Sequence, residues 1–552
     1  MLILQSHVDS KTVGFRITLV LGSLLAANWK STSGRKPNLS RLKRQAYGSL
    51  QQGDLAKAQR LCTGILEYQP EDFDALHVLG MLHFQRRRMV EALRFLGAAL
   101  KANPESLDAM SNLGLAYHTT GHYDEAISHY RCALQLAPDH PEILYNLGNS
   151  CRELGRFAEA VASYDAALES SPDHVGALVN RGNALLRLNE PLKALSSYDA
   201  ALAAMPGHPQ ILTNRGHVLR RLDRPAEALA EFKAALAAAP EFAEAHFETA
   251  MAHLTLGDFE AGWQAYEWRW KTGAFAPHRR SFQAPLWLGS EPVGGRTILL
   301  HAEQGFGDTI QFIRYAPLLA VRGANVICEV QPELLPLLSQ IENVSVVAAG
   351  ETLPLFDLHC PLLSLPLAFK TEMTTVPAAV PYLAVPEDRR DRWQTRLPPD
   401  RPRAGFVWSG SSTHKNDANR SIPLARLAPL FADPALRYIS LQTELRSADR
   451  DILRNFPNLV HLGDTIGDFA DTAAIIASLD VVVSVDTAVA HLAGAMGKPV
   501  LILLPHAADF RWMRERSNTP WYPTAKLLRQ PAPGEWNSVV ARLRDELRSF
   551  RG

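Results

Sequence analysis

Three groups of residues in this 552-residue chain have the types and spacing to do chemistry. The first is Gly305-Phe306-Gly307-Asp308, a short glycine loop that ends in a carboxylate where a helix should begin. A carboxylate there caps the helix or, on the wall of a cleft, takes a proton as a general base. The loop follows the strand-like TILLH and faces a second α/β unit, which favours the base. It lacks the third glycine and the downstream acid of a dinucleotide fingerprint, and no Gly-Lys-Ser/Thr follows to make a Walker loop. The second group is WSGSSTHKNDANRSIP. Ser409, Gly410 and Ser411 supply hydroxyls and a flexible backbone, while Lys415 and Arg420 can neutralise a diphosphate; the alternative is a solvated basic loop. The third is VVVSVDTAVAHLAGAMGKP, Val481 to Pro499. Its β-branched run suits a strand buried on both faces of a parallel sheet, and a helix follows from Asp486, Thr487 and Ala488 to a stop at Gly497. The first N–H groups of such a helix are uncompensated, and they bind phosphate. Thr487 and His491, four apart, share one helix face at that mouth.

Elements of matching period surround these groups. From Arg296, strand-like and helix-like segments alternate to about Tyr382, and a second series starts at RAGFVWSG. The spacing predicts two Rossmann-like lobes across a cleft, residues 296–385 and 403–552, joined by a polar, proline-bearing hinge at 386–402. A closing helix from Trp536 to Phe550 should pack back on the lobes.

The first half of the chain repeats. Prolines recur at Pro70, Pro104, Pro138, Pro172, Pro206 and Pro240, every step 34 residues. Ala58, Ala92, Ala126, Ala160, Ala194 and Ala228 keep the same period, as do Gly80, Gly114, Gly148, Gly182 and Gly216, with Tyr130, Tyr164, Tyr198 and Phe232 four residues after the alanines. This is the tetratricopeptide signature. It implies an all-α solenoid of stacked helix pairs over 39–271, six repeats and a partial seventh. Asn112, Asn146, Asn180 and Asn214 occupy one slot of successive repeats on the helix that lines the concave face. Primary amides both donate and accept, so such a row can hold an extended peptide without reading its side chains; the alternative is a solvated surface. Trp263, Tyr266 and Trp270 form an apolar stripe, expected to cap the solenoid and dock its last helix on the next domain; the alternative is a platform for a cofactor or sugar. A linker rich in glycine and proline follows at 272–295.

Composition narrows the partners. Lys plus Arg equals Asp plus Glu at 57 each, so the chain lacks the basic excess that nucleic acid demands. Its five cysteines are odd in number and scattered without a CxxC pair, which favours a reduced, cytoplasmic compartment over a disulfide framework or zinc site. Within the N-terminal extension, residues 1–38, ITLVLGSLLAA has the outline of a signal peptide but is too short for a comfortable membrane span; the alternative is an extension without fold.

From Arg296 to about Leu547 the chain resembles bacterial glycosyltransferases of the heptosyltransferase family, family nine, with a GT-B fold. The motifs that carry the resemblance are GDTIQ at Gly307 to Gln311, the WSGSSTHKNDANRS loop and DTAVAHLAGAMGKP. The resemblance implies that Asp308 activates the acceptor hydroxyl and that Lys415, with Arg420, grips the donor diphosphate. It also implies that Asp486, Thr487 and His491 bind the donor and that Glu444 contacts its ribose. RSIP replaces the Lys-Arg-Trp-Pro-like run of the lipopolysaccharide enzymes, which also lack repeats. The fusion of repeats to such lobes is similar in organisation to protein O-linked N-acetylglucosamine transferases. The expected activity is hexosyl- or heptosyl-type transfer from a nucleotide-sugar to a hydroxyl of a protein or peptide held by the repeats, without metal or other cofactor. The competing expectations are a glycan or lipid-linked acceptor with the repeats used for docking, and a scaffold whose lobes have lost activity.

Overall fold

The computed structural model describes residues 38–397, 402–414 and 416–550. The signal-like stretch and Lys415 lie outside them. The described residues divide into two compact units, 38–211 and 212–550.

The first unit is built of antiparallel helix pairs, beginning with Leu39–Gln51 and Leu55–Tyr68 and running through Val175–Arg187 and Pro191–Ala204. Asp54, Asp72 and Ser106 cap their helices through side-chain oxygens, and Pro141 and Pro191 open theirs, where no N–H partner is needed. The periodic prolines fall just past the second helix of each pair. Periodic glycine and aromatic residues meet: a Cβ placed on Gly148 would stand 2.6 Å from the Tyr164 ring, and Tyr130, Tyr164 and Tyr198 are fully buried. Gly148→Ala is therefore expected to cost about 1–3 kcal/mol by overpacking. Urea denaturation checks this, and an unshifted midpoint would show that the ring moves aside freely.

The asparagines are not a free row. Nδ2 of Asn180 donates to Oδ1 of Asn149 at 2.8 Å and lies 3.3 Å from the Tyr145 hydroxyl. Asn112 meets Nε2 of His77 at 2.9 Å, and the Tyr164 hydroxyl donates to Asn149. Asn180 and Asn214 are buried, whereas Asn112 and Asn146 are half-buried. Buried amides must be hydrogen-bonded, so the ladder links successive repeats before it can hold anything else.

The second unit opens within the repeat-type helix Pro209–Arg221 and continues with Pro225–Ala238, Ala243–Leu256 and the short Phe259–Tyr266. Two parallel sheets follow. The first holds β1 (Thr297–His301), β2 (Asn325–Val330), β3 (Val344–Ala348) and β4 (Leu358–Pro361) in the order 3-2-1-4. The second holds β5 (Arg403–Val407), β6 (Arg437–Ser440), β7 (Leu459–His461), β8 (Val481–Val485), β9 (Val500–Leu504) and β10 (Ala525–Arg529) in the order 10-9-8-5-6-7. Read from the other edge, this is the doubly wound Rossmann order, with its reversal between β5 and β8. The first sheet reverses likewise between β1 and β4. All five residues of β8 and of β9 are buried, as expected of strands covered on both faces. The helix Asn537–Leu547 buries Val539, Val540, Leu543 and Leu547 in the core of the second lobe. The architecture is an all-α tetratricopeptide solenoid followed by an α/β region of GT-B type.

Three connecting segments depart from the sequence reading. The 272–295 stretch is packed: Trp287 is buried, its N–H donates to the His359 carbonyl at 2.8 Å, and Leu286 bridges to the first sheet. The hinge carries a helix, Glu387–Gln394, whose Trp393 indole and Arg389 both donate to Asp471 at 2.8 Å. In the aromatic stripe, Trp263 and Tyr266 are buried, with Trp263 ring contacts to Phe312 and Phe510. Trp270 lies beyond the helix end at Tyr266, where the periodicity stops, and is half-buried under the Arg269 guanidinium.

Candidate functional site

Ligands of open α/β sheets bind beyond the carboxyl ends of strands, where strand order reverses. The glycine loop follows β1, the Ser409–Arg420 loop follows β5 and Asp486 follows β8, so all three groups stand at reversal points. They converge on one cavity of about 920 Å³ lined by both lobes and by His217 to Thr255 of the repeat-type helices. Ligand cavities of this kind run from about 300 to 1,000 Å³.

On the first lobe, helix Phe306–Phe312 starts at Gly305. Oδ2 of Asp308 accepts from the Gly305 N–H at 3.0 Å, so Asp308 does cap its helix. It also lines the cavity and pairs with Arg511 of the other lobe. Burial raises the Asp308 carboxyl above the usual range, opposed by Arg511. Arg511 extends Nε to Gln311 at 2.8 Å and Nη1 to Asp509 at 2.7 Å, bridging the two lobes. Gly307 lets this helix meet the one after β8: a Cβ there would stand 2.8 Å from the His491 ring.

On the second lobe the helix starts at Ala488, with Thr487 at its N-cap, one residue later than Asp486. The Thr487 hydroxyl bonds to Ser484 Oγ at 2.9 Å and leaves the helix N–H groups uncapped by a side chain. The Asp486 carbonyl accepts from Arg420 at 3.0 Å. Burial pushes the Asp486 carboxyl up to about 6, with neighbouring Asp509 adding to the rise. His491 is more buried than its place at the mouth suggested: its Nδ1 bonds to the Tyr522 hydroxyl at 2.9 Å and its ring stacks on Trp512. Burial holds its imidazole down at about 3, hence neutral.

The β5 loop is fixed by Gln442, whose Oε1 accepts from the N–H groups of Trp408 and Ser409 at 3.1 Å each. The Ser409 hydroxyl is buried without a hydrogen-bond partner. Arg420 lies directly over Gly410, where any Cβ would clash with the guanidinium. Glu444 also lines the cavity, its carboxylate 3.4 Å from the Ser412 N–H. The cavity thus gathers Gly305, Gly307, Asp308, Ser409, Gly410, Arg420, Glu444, Asp486, Thr487, Ala488 and His491. The sequence reading had no place for Arg511, Asp509 or Gln442. No group of three or more His, Cys, Asp or Glu side chains among the described residues is placed to hold a metal ion.

This geometry meets the comparisons with known proteins. Residues 49–116, 107–140, 145–209 and 213–267 match models of the tetratricopeptide repeat. Residues 462–528, which hold β8 and its helix, match glycosyltransferase family 9 (heptosyltransferase). The chain thus carries tetratricopeptide repeats in its N-terminal half and, over residues 462–528, a segment similar to glycosyltransferase family 9. Protein FlbA of Caulobacter vibrioides is 25% identical over 337 residues, covering 56% of this chain and 56% of FlbA. The chain therefore spans little more than half the length of that curated relative. Among solved structures, YrrB, a TPR protein with an unusual peptide-binding site, is 23% identical with a TM-score of 0.31, covering 33% of this chain and 95% of YrrB. A tetratricopeptide repeat protein from Parabacteroides merdae is 18% identical with a TM-score of 0.35, covering 42% of this chain and 91% of its own. No helix among the described residues is long and apolar enough to cross a membrane.

Proposed function

We propose that this protein transfers a sugar from a nucleoside-diphosphate donor to a hydroxyl of a protein or peptide. The observation that carries the reading is the single cavity shared by a carboxylate on one lobe and an uncapped helix start with Arg420 on the other. The donor diphosphate lies over the N–H groups that open the Ala488–Ala495 helix, with Arg420 balancing its charge; Lys415, outside the described residues, is assigned to the same diphosphate by the sequence resemblance alone. The buried Ser409 hydroxyl, lacking a partner, suits a phosphate oxygen, and Glu444 suits a ribose hydroxyl. The acceptor oxygen bonds to the anomeric carbon as the bond from that carbon to the phosphate oxygen breaks. The acceptor proton passes to Asp308, and the nucleoside diphosphate leaves. Charge balance by helix N–H groups and cations requires no metal.

Isothermal calorimetry with a panel of nucleoside diphosphates and nucleotide-sugars tests this, followed by donor hydrolysis assays. Binding and slow hydrolysis of one donor are expected. Binding of none favours a scaffold with inactive lobes, and transfer only to glycans favours a docking role for the repeats. Gly410→Ala must displace Arg420, and it is expected to weaken nucleoside-diphosphate binding about tenfold, or about 1.4 kcal/mol. Equal affinity would remove Arg420 from the site.

A further inference from the structure

The ladder changes chemistry where it reaches the cavity. His217 and Glu248 stand two 34-residue periods after Asn149 and Asn180. The amide pair Asn149–Asn180 joins adjacent repeats at 2.8 Å. At the equivalent place Nδ1 of His217 meets Oε1 of Glu248 at 3.1 Å, and Arg220 pairs with the other carboxylate oxygen. All three residues line the cavity with Asp308.

An ionised carboxylate only accepts, so Nδ1 of His217 carries a hydrogen, and in the neutral form of the ring Nε2 is an acceptor. Burial would raise the Glu248 carboxyl, but Arg220 and the hydrogen bond from His217 outweigh it and hold it down at about 2. Nε2 of His217 and Nε of Arg220 are both buried without hydrogen-bond partners. One accepts and one donates. A peptide group presents the complementary pair, one N–H and one carbonyl. The neighbouring wall of Phe247, Met251 and Phe275 gives apolar surface for the flanking side chains.

We propose that His217, Arg220 and Glu248 form a subsite for one peptide group of the acceptor, next to the reacting hydroxyl. His217 accepts from the peptide N–H, Arg220 donates to the carbonyl, and Glu248 orients both. The proposal rests on the transferase reading above and specifies its acceptor as an extended polypeptide.

Two conservative variants test it. His217→Asn installs the residue found in the same slot of two preceding repeats; its amide can still donate to Glu248 but does not reach as far as Nε2. Arg220→Lys keeps a cation on Glu248 and removes the Nε donor. The assay uses the nucleotide-sugar that the wild type hydrolyses and a library of short synthetic peptides, each with one serine or threonine. Each variant, shown folded by thermal melting, is expected to raise the peptide KM about tenfold, the value of one well-made hydrogen bond to a charged or buried group, and to lower the ratio of peptide transfer to donor hydrolysis. Unchanged peptide KM in both folded variants overturns the subsite. Donor hydrolysis with no transfer to any library peptide overturns the polypeptide acceptor and leaves the donor reading standing. Failure to bind or hydrolyse any donor overturns both readings.

Discussion

Asp308→Asn is expected to slow sugar transfer by about 10²–10⁴-fold, the usual worth of a positioned general base, with little change in donor affinity. The variant separates the proposed base role from the contacts this side chain makes, the helix cap and the pair with Arg511. An asparagine oxygen still accepts from the Gly305 N–H, so the cap of the Phe306–Phe312 helix persists. Arg511 keeps its bonds to Asp509 and Gln311. What is lost is the carboxylate charge, which lines the cavity and pairs with Arg511; transfer at reduced donor affinity would point to the pair, and slowed transfer at equal affinity to the base. If Asp308 only caps its helix, the substitution is silent in a single-turnover transfer assay. Because burial raises the wild-type carboxyl, and a base works deprotonated, the wild-type rate should fall as pH drops through that raised value.

The second large effect is on stability. Arg269 is fully buried and donates to Glu303 at 3.0 Å, to Glu267 at 2.7 Å and to Ser364 at 2.8 Å. It thereby fastens the last repeat-type segment to the first lobe. Arg269→Met leaves Glu303 buried and unpaired, at an expected cost of about 3–5 kcal/mol. Arg269→Met with Glu303→Leu should recover most of that loss, because an apolar pair of similar volume is often as stable as a buried ion pair. Chemical denaturation of the two variants decides this; a single variant within about 1 kcal/mol of wild type would mean water reaches the cluster. Burial already pushes the Glu303 carboxyl up to about 7 despite Arg269. With its folded value raised, this group's contribution is full below the ordinary value of about 4.3 and is lost as pH rises through about 7. Stability should therefore ease downward over that window, and over a range reaching to higher pH in Arg269→Met, where the carboxyl loses the cation that lowers it.

The solenoid was legible because every 34-residue repeat restates the same glycine, alanine and aromatic contacts, such as Gly148 on Tyr164. The β8 strand and its helix were legible because a buried parallel strand needs an unbroken apolar run. The residues that the sequence did not reveal work across long separations. Arg511 lies in HAADFRWMRE, which has no motif, and it meets Asp308 only when the lobes face each other. Arg269 sits inside the expected stripe, just before Trp270, and a lone arginine ordinarily reads as surface. The packed linker was missed because its glycines and prolines masked a buried Trp287. The asparagine slot was found, but its cross-repeat bonds were not, since a period gives the slot and not the rotamer.

Photo-crosslinking with azido-nucleoside diphosphates, one for each common base, followed by peptide mapping, tests the donor site most directly. Labelling should concentrate on residues 409–420 and 486–491 and be competed by the unmodified nucleotide. Saturable labelling elsewhere in the chain, or none with any base, would contradict the assignment of the cavity as a transferase site.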